Sequence, residues 1–265
     1  MTGLDLSGAL QLLRRGEITV EGRLVEASNA TLFCEISHEG VEGRCVYKPV
    51  AGERPLWDFP DGTLAAREVA AYAVSESTGW DIVPPTVLRD GPFGPGMCQL
   101  WVDVDPDVEL VDVTEPGDLP PGWLRVLDAL GSAGQPVVLA HADDPRLRRI
   151  AVLDTVLNNA DRKAGHVLPL RDGSVHGIDH GVCFHAEDKL RSVLWGWAGS
   201  PFTEQETAAL RHLDEDLDGR LGAQLAGLLT RREISAARHR VGRTIAEGAF
   251  PFPVEGWPTI PWPPF

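Results

Sequence analysis

The stretch Asn158-Asn159-Ala160-Asp161-Arg162-Lys163-Ala164-Gly165-His166, with Gly177-Ile178-Asp179-His180-Gly181 after it, decides how the rest of the chain is read. It lies within Ile150–Phe184, whose pattern predicts a helix, a polar loop, a short strand, a turn and a second short strand. Asp161 and Asp179 stand at the ends of apolar segments, 18 residues apart. Between them, Val167-Leu168-Pro169-Leu170 and Val175-His176-Gly177-Ile178 flank Asp172-Gly173, the signature of a tight hairpin. Such a hairpin folds the second carboxylate back beside the first. Paired acids suit binding of a metal–phosphate group and orientation of a nucleophile.

Asp161-Arg162 with a polar residue five positions after the aspartate, followed by Ile178-Asp179-His180-Gly181, resembles the catalytic and metal-binding loops of phosphatidylinositol 3/4-kinase-like proteins. That superfamily shares the protein-kinase-like fold and includes the HipA-type bacterial serine kinases. More closely, the chain from at least Gly22 to Trp197 resembles a small bacterial family of such kinase-like proteins, which brings no substrate with it. The resemblance implies an α+β, bilobal protein-kinase-like fold. Residues 1–102 would form an N-lobe of antiparallel sheet plus helix. Residues 103–265 would form a mainly helical C-lobe with a Pro/Trp-rich tail, both lobes making one catalytic domain. It also implies that Asp161 orients the acceptor hydroxyl, that Arg162 or Lys163 steadies the transferred phosphoryl charge, and that Asp179 and His166 hold metal. The superfamily usually has Asn where His166 stands. An imidazole is softer than an amide oxygen and tilts preference from Mg²⁺ towards Mn²⁺. The same departure keeps open a nucleotide-binding pseudokinase that acts through a partner.

Outward towards the N-terminus, residues 5–15 carry apolar positions at helical spacing, and Ile18–Glu26 and Thr31–Ser37 read as strands. The loop between them, Ala27-Ser28-Asn29-Ala30, is small and polar, so Ser28 and Asn29 are candidate phosphate contacts, although it lacks glycine. Gly43–Val50 is the next strand. Its Lys48, in an apolar setting, needs a partner if it points inward; the resemblance makes it the nucleotide-phosphate lysine. Asp61-Gly62-Thr63 can start a helix over Leu64–Thr78, whose Glu68 is the candidate partner of Lys48. Trp57 and Phe59 in the preceding Pro-rich loop are expected to pack on the small lobe. Trp80–Arg89 reads as an edge strand because of Pro84-Pro85. Met97–Asp103 reads as a buried strand running into the hinge, with Gln99, Leu100, Trp101 and Val102 placed around adenine by the resemblance.

Beyond the hinge, Asp103–Pro121 reads as an acidic, loop-rich connector, and Trp123–Leu130 as a weak helix. Asp143-Asp144-Pro145 caps a largely buried helix from Arg146 to about Asn159. Lys189–Trp197 follows the metal-binding loop as a candidate activation segment. Thr203–Leu213 and Leu217–Gly248 read as helices, the second broken. The tail Phe250–Phe265 is too rich in proline for a helix and is expected to strap the body or dock a protein partner.

With 265 residues, 43% hydrophobic and 24% charged, the chain can bury a substantial core. No apolar run approaches the ~20 residues of a spanning helix, and no signal peptide is evident. Cys34, Cys45, Cys98 and Cys183 show neither metal nor disulfide spacing, so packed thiols in a reducing cytoplasm are expected. A formal charge of −15 argues against nucleic acid and stable binding to anionic membranes. Arg146, Arg148, Arg149, Arg162 and Lys163 form a local basic run against that background. His166, His176, His180 and His185 crowd one stretch without zinc-ligand spacing. The expected activity is ATP- and Mg²⁺- or Mn²⁺-dependent phosphotransfer to a protein or small-molecule hydroxyl. AMP transfer on the same fold is an alternative beside the pseudokinase.

Overall fold

The computed structural model describes residues 5–24, 29–60, 62–254, 256 and 258–265. The first element, α1 (Leu6–Arg15), is started by Asp5, whose carboxylate accepts from the Gly8 N–H. Five strands follow: β1 (Glu17–Arg23), β2 (Leu32–His38), β3 (Val41–Pro49), and, after the helix α2 (Leu64–Thr78), β4 (Thr86–Gly91) and β5 (Gly94–Leu100). They form one antiparallel sheet in the order 1-2-3-5-4, which leaves β4 at an edge, entered directly after Pro84-Pro85. Alternation along the strands gives each face its own role. Cys34, Ile36, Cys45, Tyr47 and Cys98 pack with Leu12 and Leu13 of α1. Lys48 has the opposite parity and faces α2.

The limits of α2 match the expected Leu64–Thr78, and the strands fall where expected with shifted ends, β4 starting at Thr86 rather than Trp80 and β5 ending at Leu100 rather than Asp103; what differs is the cap of α2. Thr63 occupies the N-cap position without capping; its hydroxyl donates to the Pro60 carbonyl. The Glu53 carboxylate accepts instead from the Leu64 and Ala65 N–H groups, an anion placed where the first-turn donors are unpaired.

The second lobe holds a feature the sequence reading missed. Trp123–Leu130 is a strand, β7, within a three-stranded antiparallel sheet made with β6 (Val111–Thr114) and β8 (Pro136–Ala142), in the order β6-β8-β7. The segment is eight residues long and shows no strong helical period. It is flanked by Gly122 and by the Gly131–Gln135 turn, so cross-strand pairing from Trp123↔Ala142 to Leu130↔Pro136 outweighs weak helical propensity. Helices α3 (Pro145–Leu157), α4 (Glu204–Leu217), α5 (Arg220–Leu225) and α6 (Arg231–Glu247) make up the rest, with a hairpin of β9 (Val167–Pro169) and β10 (Val175–Gly177) between α3 and α4. α2 packs on β4 and β5 on one side and on α4 and α5 on the other, so it ties the two lobes together.

Three members of the basic run are consumed internally: Arg146 pairs with Asp144, Arg148 with Glu206 and Arg162 with Asp154. All four cysteines are free and buried. Among the described residues, no helix is long and apolar enough to cross a membrane. The tail runs as an extended strap, with Ile260 packed on the C-lobe core and Pro261 buried. A five-stranded sheet with α2 on one side, and four helices with a small three-stranded sheet and a hairpin on the other, make this an α+β, bilobal, kinase-like fold.

Candidate functional site

The site assembles from four pieces of chain. The β3 strand delivers Lys48, whose Nζ lies 2.6 Å from Glu68 Oε1 on α2 and 2.8 Å from Asp179 Oδ1. The second Glu68 oxygen accepts from the His180 N–H at 2.8 Å, so α2 also grips the loop that carries Asp179. Burial alone would lower the Lys48 pKa. The Asp179 and Glu68 carboxylates more than reverse this and hold the ammonium above its usual range. Lys48 in turn holds Asp179 well below the ordinary carboxylate range, while burial raises Glu68. Asp179 adopts φ +60°, a left-handed conformation that costs a non-glycine residue about 1 kcal/mol and aims its carboxylate into the cleft.

The Asp161 loop comes from the end of α3. Asp144 caps that helix through the Arg146 N–H, and Asn158 ends it in the left-handed region at φ +56°. The Asn159 side chain accepts from the Asp161 N–H at 2.9 Å. Asp161 itself makes loose pairs, 3.8 Å to Lys163 Nζ and 3.7 Å to Arg191 Nη2, which leave its oxygens open to a further partner. Burial raises its pKa, and Lys163 and Arg191 oppose that rise.

His166 links the Asp161 backbone to the Asp179 carboxylate. Its Nδ1 lies 3.1 Å from the Asp161 carbonyl and its Nε2 lies 3.3 Å from Asp179 Oδ2. A carbonyl only accepts, so Nδ1 carries the proton. Burial lowers the His166 pKa to about 4, so at neutral pH Nε2 presents a lone pair to an anionic carboxylate. Two electron-pair donors facing each other call for a cation between them, so this donor set fits a divalent metal. Among the described residues no group of three or more His, Cys, Asp or Glu forms a metal-holding cluster by itself. A metal here would draw its remaining ligands from phosphate and water, as Mg²⁺ commonly does.

Arg162 does not steady the phosphoryl charge as expected. Its side chain is 0% exposed and cannot reach a transferred phosphoryl group. Nε and Nη2 donate to the Asp154 carboxylate at 2.7 and 2.9 Å, and Nη1 donates to the carbonyls of His166 and Ile178. Nη2 also reaches His180 Nε2 at 2.8 Å. Arg162 is therefore the brace that fixes the Asp161 and Asp179 loops to α3. The cation that sequence reasoning missed is Arg191. Its Nε donates to the Ala160 carbonyl at 2.5 Å, beside Asp161. Nothing local marks it; the parallel bridge Arg162↔Ser192 and the bond from the Arg191 N–H to the Asn159 carbonyl bring it there.

Other expectations fall in different places. Ser28 lies outside the described residues. Asn29 accepts from the Arg54 N–H at 2.8 Å, tying the β1–β2 loop to the segment after β3. Gln99 turns into the sheet, where it donates to Thr86 Oγ1 at 2.8 Å, and Val102 is buried. Leu100 and Trp101 border a recess of about 410 Å³ with Glu35 and Glu42. Trp101 makes an edge-on contact with Phe33 at 4.7 Å and donates to Asp103. Neither Lys48 nor Asp179 lines that recess, which follows the outer end of the same sheet face. Phe59 is buried as expected. Trp57 is not; it is 87% exposed, with the Lys189 ammonium 4.5 Å over its ring.

No protein-family model matches the chain. It is 51% identical over 263 residues to Protein Rv2133c of Mycobacterium tuberculosis (strain ATCC 25618 / H37Rv), covering 96% of this chain and 94% of that one. It is 30% identical over 179 residues to phosphatidylinositol 4-kinase gamma 4 of Oryza sativa subsp. japonica, which takes in 59% of this chain and 27% of the plant protein. It is also 36% identical over 81 residues to phosphatidylinositol 4-kinase gamma 3 of Arabidopsis thaliana, 28% of this chain and 14% of that protein. A solved structure, the Helicobacter pylori proinflammatory kinase CtkA, aligns with 90% of this chain and 94% of its own at 11% identity and a TM-score of 0.46. The partial matches to the two plant kinases fit a phosphatidylinositol 3/4-kinase-like superfamily, and at 51% identity over nearly its whole length the chain belongs to the family of Protein Rv2133c.

Proposed function

We propose that the protein is an ATP- and divalent-metal-dependent phosphotransferase whose acceptor is a hydroxyl. The observation that carries this reading is Lys48 bridging Glu68 and Asp179 while the His166 lone pair meets Asp179 from the other side. A half-buried lysine held by a helix acid is a ready phosphate ligand. Asp179 and His166 are the residues that would hold metal. A divalent ion bound there would neutralise charge on the nucleotide phosphates. Asp161 orients the acceptor hydroxyl and takes its proton as the new P–O bond forms and the bond to ADP breaks. Its raised pKa fits that task. Lys163 and Arg191 flank Asp161 and offset charge on the moving phosphoryl group. Arg162 positions both loops from below.

The test is mass spectrometry of the protein and added acceptors after incubation with ATP and Mn²⁺. A gain of one phosphoryl group supports the reading. A gain of AMP would assign nucleotidyl transfer to the same cleft, and nucleotide binding with no transfer would assign a pseudokinase.

A further inference from the structure

The strap reaches the catalytic segment itself. The Ser192 N–H and the Trp195 indole N–H both donate to the Thr259 carbonyl, at 3.0 and 2.8 Å. Five residues on, the Pro264 carbonyl accepts from the Ala164 N–H at 2.9 Å. Ser192 adjoins Arg191 and bridges to Arg162, and Ala164 lies three residues after Asp161. The strap is thus pinned to both walls that flank Asp161, the catalytic loop and the segment at 191–195. Pro261 is buried and Ile260 half-buried between these pins, whereas Trp262 is 87% exposed. Two of the three bonds run from backbone to backbone, so they hold an extended chain without reading its side chains, as strand addition does.

We propose that these two walls form a polypeptide-acceptor groove, which the chain's own residues 259–264 fill in cis. The acceptor class is then an extended protein segment, and the strap competes with it. This rests on the phosphotransfer reading above. The occupant in the structure is itself polypeptide, and the formal charge of −15 opposes an anionic bilayer as the alternative. A tethered strap enjoys an effective concentration of order mM, so a free segment competes poorly until the strap is released.

The test uses the full chain with Ile260→Asp, which places a charge at the half-buried contact, and a fluorescent peptide of residues 258–265. The peptide should bind the variant saturably and leave the unmodified chain unlabelled. With ATP and Mn²⁺, the variant should phosphorylate dephosphorylated casein about ten-fold faster, and unlabelled peptide should inhibit competitively against casein but not against ATP. Peptide binding to both chains or to neither overturns the groove. Transfer to phosphatidylinositol vesicles in place of casein, or loss of transfer with ATP binding retained, overturns the polypeptide assignment. Absence of ATP binding in both chains would instead remove the phosphotransfer reading, while peptide binding still decides the groove. If Ile260→Asp does not melt cooperatively, Pro261→Ala trims the buried strap contact, leaves both walls intact and carries the same comparison.

Discussion

Removing the Arg162 side chain should cost the fold more than any other single change near the cleft. Arg162 and Asp154 are 0% and 1% exposed, so Arg162→Met leaves a carboxylate buried with one donor, the Asn159 amide at 2.8 Å. Breaking a buried pair from one side costs about 3–5 kcal/mol. The orphaned carbonyls of His166 and Ile178 add to this, though not additively. A loss of about 4 kcal/mol should lower Tm by roughly 8–16 °C in a chain of this size. Urea and thermal melts followed by near-UV circular dichroism would measure it. Asp154→Asn combined with Arg162→Met should cost less than the two singles together, by at least about 1 kcal/mol, because the double variant leaves no buried charge. Singles that each cost under about 1 kcal/mol, or a strictly additive double variant, would refute the brace.

Other perturbations read other parts. Lys48→Met should weaken ATP binding by about 30-fold or more, the cost of truncating one partner of a buried charge pair, measurable by calorimetric titration; unchanged affinity would remove Lys48 from the phosphate site. His141, whose Nε2 accepts from the Gly196 N–H at 3.0 Å, is held by burial down to about 4 from an ordinary 6.5. The unfolded chain therefore takes up its proton first, and stability attributable to this ring is intact above pH 6.5 and falls towards pH 4, by about 3 kcal/mol. A His141→Asn variant should lose correspondingly less over that interval in pH-dependent urea melts, and parallel losses would contradict the assignment.

Much of the cleft was legible because its residues sit in patterned sequence. Lys48 interrupts an apolar strand, Glu68 lies on a helix whose limits read directly, and Asp172-Gly173 marks the hairpin that brings Asp179 towards Asp161. Each is a local signal, and the family resemblance chose between its inward and its solvent-facing reading. What failed depends on partners distant in sequence. Arg162 and Arg191 look equally available until α3 supplies Asp154 to bury the first and chain pairing through Ser192 places the second by the catalytic acid. Trp123–Leu130 has too short a pattern to separate strand from helix until β8 is beside it. Trp57 looked like core, but the Lys189 ammonium stacks on it at the surface instead.

The account turns on Asp179 as the point where Lys48, His166 and a metal-bound nucleotide meet. Calorimetric titration of ATP, with and without Mn²⁺, into the unmodified chain and Asp179→Asn tests that most directly. The unmodified chain should bind ATP at least about ten-fold more tightly with metal, a difference of about 1.4 kcal/mol, and Asp179→Asn should show no metal dependence. Metal-dependent binding that survives in Asp179→Asn, or ATP binding indifferent to metal in both chains, would contradict it.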